Sequence, residues 1–277
     1  MTADSSLRQS NSFIETNASS LDSSRHSRGR RILVCALGLT LPLLVSFVYF
    51  VWMPGTITGK IAYTGIKVAM LLAPVLVGLY YIRNLEPLPA FSKIPRRQWL
   101  ATILPQPGKA RPASSYRRSL TGGVVFGLLT SAFAAALLAL PSVGDALRAS
   151  GPQIREQVKA FGVMDYYFLF GFFIAVVHSA LEEFFWRGFV YGHLRRIVPI
   201  PVAHLLAAVG FAAHHVVVLN QFFPTATAWF LSLGVAVGGL VWSLLYQRYG
   251  TLLGAWVSHL IADVAILIIG WQLMQVA

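Results

Sequence analysis

Long apolar runs separated by short polar or basic segments organise this chain. Runs of about twenty apolar residues can cross the hydrocarbon core of a bilayer as helices. They occupy Ile32–Met53, Ile61–Ile82, Leu120–Leu140, Tyr166–Leu194, Val202–Leu219, Ala226–Tyr246 and Leu252–Met274. The pattern predicts an all-α fold, a polytopic transmembrane helical bundle of about seven to eight spans, the eighth being a short or re-entrant segment. The fourth run is longer than a bilayer needs, which predicts tilt or an overhang. The mixed, mildly amphipathic stretch Val143–Val163 predicts a helix lying in the interface. Residues 1–31 are polar and serine-rich, without apolar periodicity, and predict a disordered tail rather than a signal peptide. The resulting division is a tail (1–31), two spans with a basic loop (32–119) and a C-terminal core (120–277).

Composition agrees with that pattern. Of 277 residues, 56% are hydrophobic and only 12% charged, about half the charged fraction of a soluble domain. Mean hydropathy is +0.64. The pI near 10.3 raises the question of nucleic acid, but the basic residues lie in tails and loops beside apolar spans, as the positive-inside rule expects. The expected partner is therefore the lipid bilayer, with no nucleic acid. Arg25, Arg28, Arg30 and Arg31 precede the first span, and the connection between spans two and three carries Arg83, Lys93, Arg96, Arg97, Lys109, Arg111, Arg117 and Arg118 against Glu86. Both segments are expected in the cytoplasm, which makes the fourth span run inward to Arg195 and Arg196. Six prolines between Pro87 and Pro112 exclude one long helix there, leaving a short interfacial helix over Arg97–Leu104, anchored by Trp99. The single cysteine, Cys35, offers neither a disulfide framework nor a thiolate metal cluster. His193, Trp52, Trp99, Trp256 and Trp271 are expected as interface anchors. Gly234, Gly238 and Gly239 are expected to permit close helix packing.

The candidate chemistry sits inside the spans. Glu182, Glu183 and Arg187 interrupt the fourth, among Phe, Val, Leu and Trp. A charge at the bilayer centre costs about 2.5–3.5 kcal/mol even on lenient scales, so such groups act or neutralise each other. Glu183 and Arg187 are four apart and can pair on one helix face. Glu182 points roughly 100° away and is left to face other helices. His178 lies one turn before it. Span five carries His204, His214 and His215, and span seven carries His259 and Asp263. Asp263 can orient the His259 imidazole from one turn away. Phe211 and His215 share a face while His214 points elsewhere, or takes the place of His215 if the helix register differs, and His204, near a helix end, is expected at the interface. Counted from their cytoplasmic ends, Glu182 and His215 lie roughly 21 Å along their helices and His259 roughly 14 Å. These comparable levels predict one shared pocket.

EEFFWRG (Glu182–Gly188) resembles the EExxxR motif of the CAAX-protease and bacteriocin-processing (CPBP) intramembrane proteases. FAAHH (Phe211–His215) is similar to that family's FxxxH motif, and HLIAD (His259–Asp263) to its HxxxN/D motif. The motifs occur in the family's order, and the resemblance covers roughly residues 120–277. It implies an intramembrane endopeptidase that hydrolyses peptide bonds of membrane-associated protein or peptide substrates. Glu182 would activate water as general base, helped by His215. His259 and residue 263 would stabilise the oxyanion, and Glu183 with Arg187 would form a structural pair. An asparagine at 263 could donate to an oxyanion where an ionised Asp263 cannot, so Asp263 is assigned to holding His259 or to a protonated donor state.

The family has been described both as metalloproteases and as glutamate-dependent, metal-free enzymes. Glu182, His215 and His259 could supply a zinc set with an open position, although no HExxH helix is present; the metal-free reading is preferred. Two other functions compete: a proton-coupled transporter or channel, in which buried Glu and His relay protons, and a non-proteolytic membrane partner or immunity protein. The ordered motifs favour hydrolysis. The identity of the substrate is not legible.

Overall fold

The computed structural model describes residues 31–53 and 112–275, together with residue 29 and scattered positions from 56 to 72. The polar tail, most of the expected second span and the basic loop with its Arg97–Leu104 helix lie outside the described residues. Among the described residues the chain is helical, without strands, and six helices are long and apolar enough to cross a membrane. They are α1 (Arg31–Trp52), α2 (Ala113–Ala139), α5 (Met164–Leu194), α6 (Ile200–Leu219), α7 (Thr225–Tyr249) and α8 (Leu253–Gln275). The molecule is a polytopic helical bundle and an integral, multi-pass membrane protein. Large apolar side chains such as Leu129, Phe133, Phe168, Leu169, Leu205 and Leu233 face outward, which suits a lipid solvent rather than water.

Two boundaries differ from the apolar pattern. Helix α2 starts at Ala113, well before Leu120, because Pro112 opens it and Ser115 N–H closes the first turn on the Pro112 carbonyl. Its first turns are polar and carry Arg117 and Arg118 in helical form. The amphipathic stretch between α2 and α5 is not one helix but two, α3 (Pro141–Arg148) and α4 (Gly151–Ala160). Each has a proline in its first turn, where the missing N–H loses nothing. Both lie beside the C-terminal end of α8, and the Arg155 guanidinium donates to the Met274 carbonyl.

Close packing is concentrated where α2 crosses α8. Ser119, Gly123 and Gly127 follow one another at four-residue spacing on α2 and are buried. A Cβ at Gly123 would meet the Gly254 carbonyl oxygen at 2.1 Å, and one at Gly254 would meet the Ser119 carbonyl oxygen at 2.1 Å. Only glycine admits that approach, the small-xxx-small arrangement of membrane helices. Gly254 N–H also donates to Ser119 Oγ at 3.1 Å. The expected glycine packing on α7 is narrower than the sequence suggests. Gly234 has nothing within 4 Å of a Cβ position and Gly238 meets only its own helix's Trp242, whereas Gly239 abuts Arg187 and Phe211.

Helix α5 is not uniformly α-helical. Wider π-helical turns at Phe173–His178 and Phe184–Tyr191 flank the α-helical turn Ser179–Glu183. Such turns are frequent at functional sites. The principal core cluster joins Phe185, Trp186 and Tyr191 of α5 to Ala207 and Phe211 of α6, Trp242 of α7 and Cys35 of α1.

Candidate active site

The π-flanked turn of α5 directs both glutamates into the bundle. Glu182 is 5% exposed and Glu183 fully buried. Glu183 Oε1 accepts from Arg187 Nη1 at 2.8 Å, the i,i+4 pair the spacing predicts. The same oxygen also lies 2.8 Å from His259 Nδ1. Glu183 is therefore not neutralised within its own helix alone; it ties α5 to α8. Its Oε2 has no hydrogen-bond partner among the described residues.

The Arg187 guanidinium is packed on aromatic faces, 4.5 Å from the Phe211 centroid and 4.9 Å from that of Trp242. Cation–π attraction strengthens when such a contact is desolvated. Gly239 leaves the necessary room, since a Cβ there would lie 3.2 Å from Arg187 Nη2. Trp242 stacks on the His259 ring at 4.2 Å and 16°, and its indole N–H donates to Ser258 Oγ at 2.9 Å. The His259 imidazole is thus fixed by a carboxylate at Nδ1 and an indole on its face. Its Nε2 lies 4.0 Å from Glu182 Oε2 and 3.6 Å from Asp263 Oδ1.

Three imidazoles surround the Glu182 carboxylate: His214 Nε2 at 3.6 Å, His178 Nε2 at 3.7 Å and His259 Nε2 at 4.0 Å. The placement of His214 corrects the sequence expectation that it points elsewhere. It is 2% exposed, and its ring is parallel to that of Trp186, 1° between planes at 5.7 Å. The inward-facing sector of α6 is wide enough to take in both members of the pair, whose rings are 4.1 Å apart. His215 is half-buried, with Nδ1 2.8 Å from the Phe211 carbonyl oxygen.

The structure therefore brings Glu182, Glu183, Arg187, His214, His215, His259 and Asp263 to one locus between α5, α6 and α8, with His178 at its edge. His204 does not join them. It is buried nearer the start of α6, its Nδ1 2.8 Å from Ser243 Oγ and its Nε2 3.2 Å from Tyr191 Oη. Trp256, expected as an interface anchor, donates its indole N–H to the Val176 carbonyl of α5 at 3.0 Å.

Among the described residues, one set of possible metal donors lies close together: Glu182, His214 and His215, with ligand atoms within 4.8 Å of one another. It holds His214 where the conditional zinc set had His259, whose Nε2 lies 4.0 Å from Glu182 Oε2. The donor types fit a two-histidine, one-carboxylate site, and a bond from His215 Nδ1 to a carbonyl is the usual way such a ligand is oriented. At its limit the spread exceeds the roughly 3.3 Å between donors of a tetrahedral zinc ion, so the set would have to contract.

A buried acid–base cluster inside a polytopic helical bundle suits two classes, the intramembrane enzymes and the proton-handling carriers. The comparisons favour the first. Residues 164–265 match the family model of the Rce1-like type II CAAX prenyl endopeptidases, so that segment is similar to this group of intramembrane proteases. The matched region contains α5, α6 and α7 and the first half of α8, hence every residue of the locus. No curated protein and no solved structure matches the chain.

Proposed function

We propose that this protein is a glutamate-dependent intramembrane endopeptidase acting on membrane-associated proteins or peptides. The observation that carries the reading is the buried Glu182 carboxylate within 4.0 Å of imidazoles from three positions, inside a segment matching a peptidase family. Amide hydrolysis needs a base for water, a donor for the oxyanion and a proton for the leaving amine. Glu182 takes a proton from water, and the resulting hydroxide bonds to the carbonyl carbon. Held as an imidazolium, His259 donates Nδ1–H to Glu183 and offers Nε2–H to the oxyanion, with the Asp263 carboxylate beside that nitrogen balancing the charge. His215 lies beside Glu182 and shares the proton traffic. As the C–N bond breaks, the proton held by Glu182 passes to the departing nitrogen, leaving a carboxylic acid and an amine. Glu183 and Arg187 hold the α5 turn in place.

The catalytic core is assigned to residues 120–277, and the N-terminus to the cytoplasm. A second reading has one observation in its favour, the mutual proximity of Glu182, His214 and His215. There a divalent ion would polarise the carbonyl and supply bound hydroxide. In the metal-free reading, phenanthroline and EDTA leave turnover unchanged and the purified protein carries no stoichiometric zinc. Loss of turnover on chelation, restored by zinc, supports the metal instead.

The primary test compares Glu182→Ala with Glu183→Ala in proteoliposomes. The first variant is expected to insert and fold while losing cleavage, by about 10²-fold or more for removal of a general base. Retained cleavage in folded Glu182→Ala would sink the glutamate-dependent mechanism, and ion flux abolished while cleavage persists would point to the transporter reading.

A further inference from the structure

The two adjacent histidines of α6 meet different partner atoms, and those atoms fix where their protons sit. His215 Nδ1 lies 2.8 Å from the Phe211 carbonyl oxygen. A carbonyl only accepts, so the neutral His215 ring carries its proton on Nδ1 and leaves Nε2 as the basic nitrogen. His214 has the reverse environment. Its Nε2 faces Glu182 Oε1 at 3.6 Å, a short closure from a hydrogen bond. An ionised carboxylate also only accepts, so the nitrogen facing it must carry the proton. The two rings share one pocket, 4.1 Å apart, and Trp186 lies parallel to His214. Trp186 sits one turn after Glu182 on α5, so the same helix that presents the carboxylate also braces the ring that addresses it.

We propose that His214 is a positioning residue that holds the Glu182 carboxylate through Nε2–H, while His215 presents an unprotonated Nε2 to the reacting water. The family's FxxxH motif singles out the second histidine alone; the geometry assigns a separate task to the first. The proton placements stand independently of the reaction, and the assignment of work to them rests on the hydrolase reading. His178 and His259 also face Glu182. They approach from its own helix and from α8, whereas His214 approaches from α6 at 3.6 Å and His215 has a ring nitrogen within 4.8 Å of the same carboxylate.

The test has two arms. In the first, protein with ¹³C,¹⁵N-labelled histidine in liposomes is examined by solid-state NMR, with His214→Gln and His215→Asn used to assign the two rings. His214 is expected as the Nε2–H tautomer and His215 as the Nδ1–H tautomer. The same tautomer for both, or the reversed pair, overturns the proposal.

The second arm reads turnover. Glutamine places an amide N–H near the position of Nε2, whereas asparagine reaches only to that of Nδ1. His214→Gln is expected to stay within about threefold of wild type, and His214→Asn to lose roughly tenfold or more in kcat with KM little changed, the size of a lost charged hydrogen bond. Equal losses in the two variants, at equal thermal stability, also overturn it. Full turnover in Glu182→Gln would instead remove the role of Glu182 as base, on which the work assigned to His214 rests, while the NMR arm still decides the proton placements.

Discussion

At the scale of single residues, the site separates two glutamates that are neighbours in sequence. Glu183 is buried against Arg187 and His259 at 2.8 Å each, while Glu182 meets imidazoles at 3.6–4.0 Å. Their substitutions should therefore fail in different ways. Removing one partner of a buried ion pair leaves the other charge uncompensated, at about 3–5 kcal/mol. Arg187→Ala and Glu183→Ala are expected to lower the thermal transition in detergent strongly, and Glu182→Ala to leave it nearly unchanged. An Arg187→Ala protein that melts with wild type would show that the pair is not structural. The Glu183–Arg187 pairing was legible because i,i+4 spacing places two side chains on one face. The His259 contact to Glu183 was not legible, since spacing within one helix says nothing about which neighbouring helix crosses at that level. That His214 joins His215 rather than replacing it was not legible for a related reason: neighbours on a helix stand roughly 100° apart, yet a pocket that wide admits both.

At the scale of elements, apolar run length located the spans α1, α2, α5, α6, α7 and α8 to within a few residues, apart from the start of α2. Hydrocarbon thickness dictates that length, so it is written directly into the sequence. Two features were not. The π-helical turns of α5 depend on hydrogen-bond register, which leaves no trace in hydropathy. The break between α3 and α4 falls within a stretch whose amphipathic pattern continues across it. The α2–α8 crossing makes a prediction of its own. Because a Cβ at Gly123 or Gly254 would sit 2.1 Å from a backbone oxygen, either Gly→Val change must push the helices apart. Both variants are expected to fold poorly and to lose cysteine cross-linking between the two helices. Gly234→Val, with open space around it, should behave as wild type; equal stability in all three variants would refute the crossing.

At the scale of the whole molecule, charge is distributed unevenly between the two ends of the bundle. Arg117, Arg118, Arg195, Arg196 and Arg248 lie at or near the ends where α2 begins and α5 and α7 finish. Ser115 Oγ donates to the Tyr249 carbonyl at 3.2 Å, which joins the start of α2 to the end of α7. The acidic residues Asp145 and Glu156 sit in the connection between α2 and α5, beside Arg148, Arg155 and Lys159, and Asp165 lies in the first turn of α5. The uncompensated arginine end is the one expected in the cytoplasm. A reporter fused after α8 should therefore be exposed on the opposite side, and a reporter after α7 on the cytoplasmic side. Fusions reporting the inverse pattern would reverse the orientation without disturbing the site.

The most direct test of the central claim follows the oxygen atom. Wild-type protein and Glu182→Gln, matched for folding, are reconstituted in liposomes with a library of synthetic membrane-anchored peptides in H₂¹⁸O, and the products are read by mass spectrometry. The account predicts new peptide C-termini carrying one ¹⁸O with the wild type and none above background with the variant. Labelled products formed equally by both proteins would contradict it.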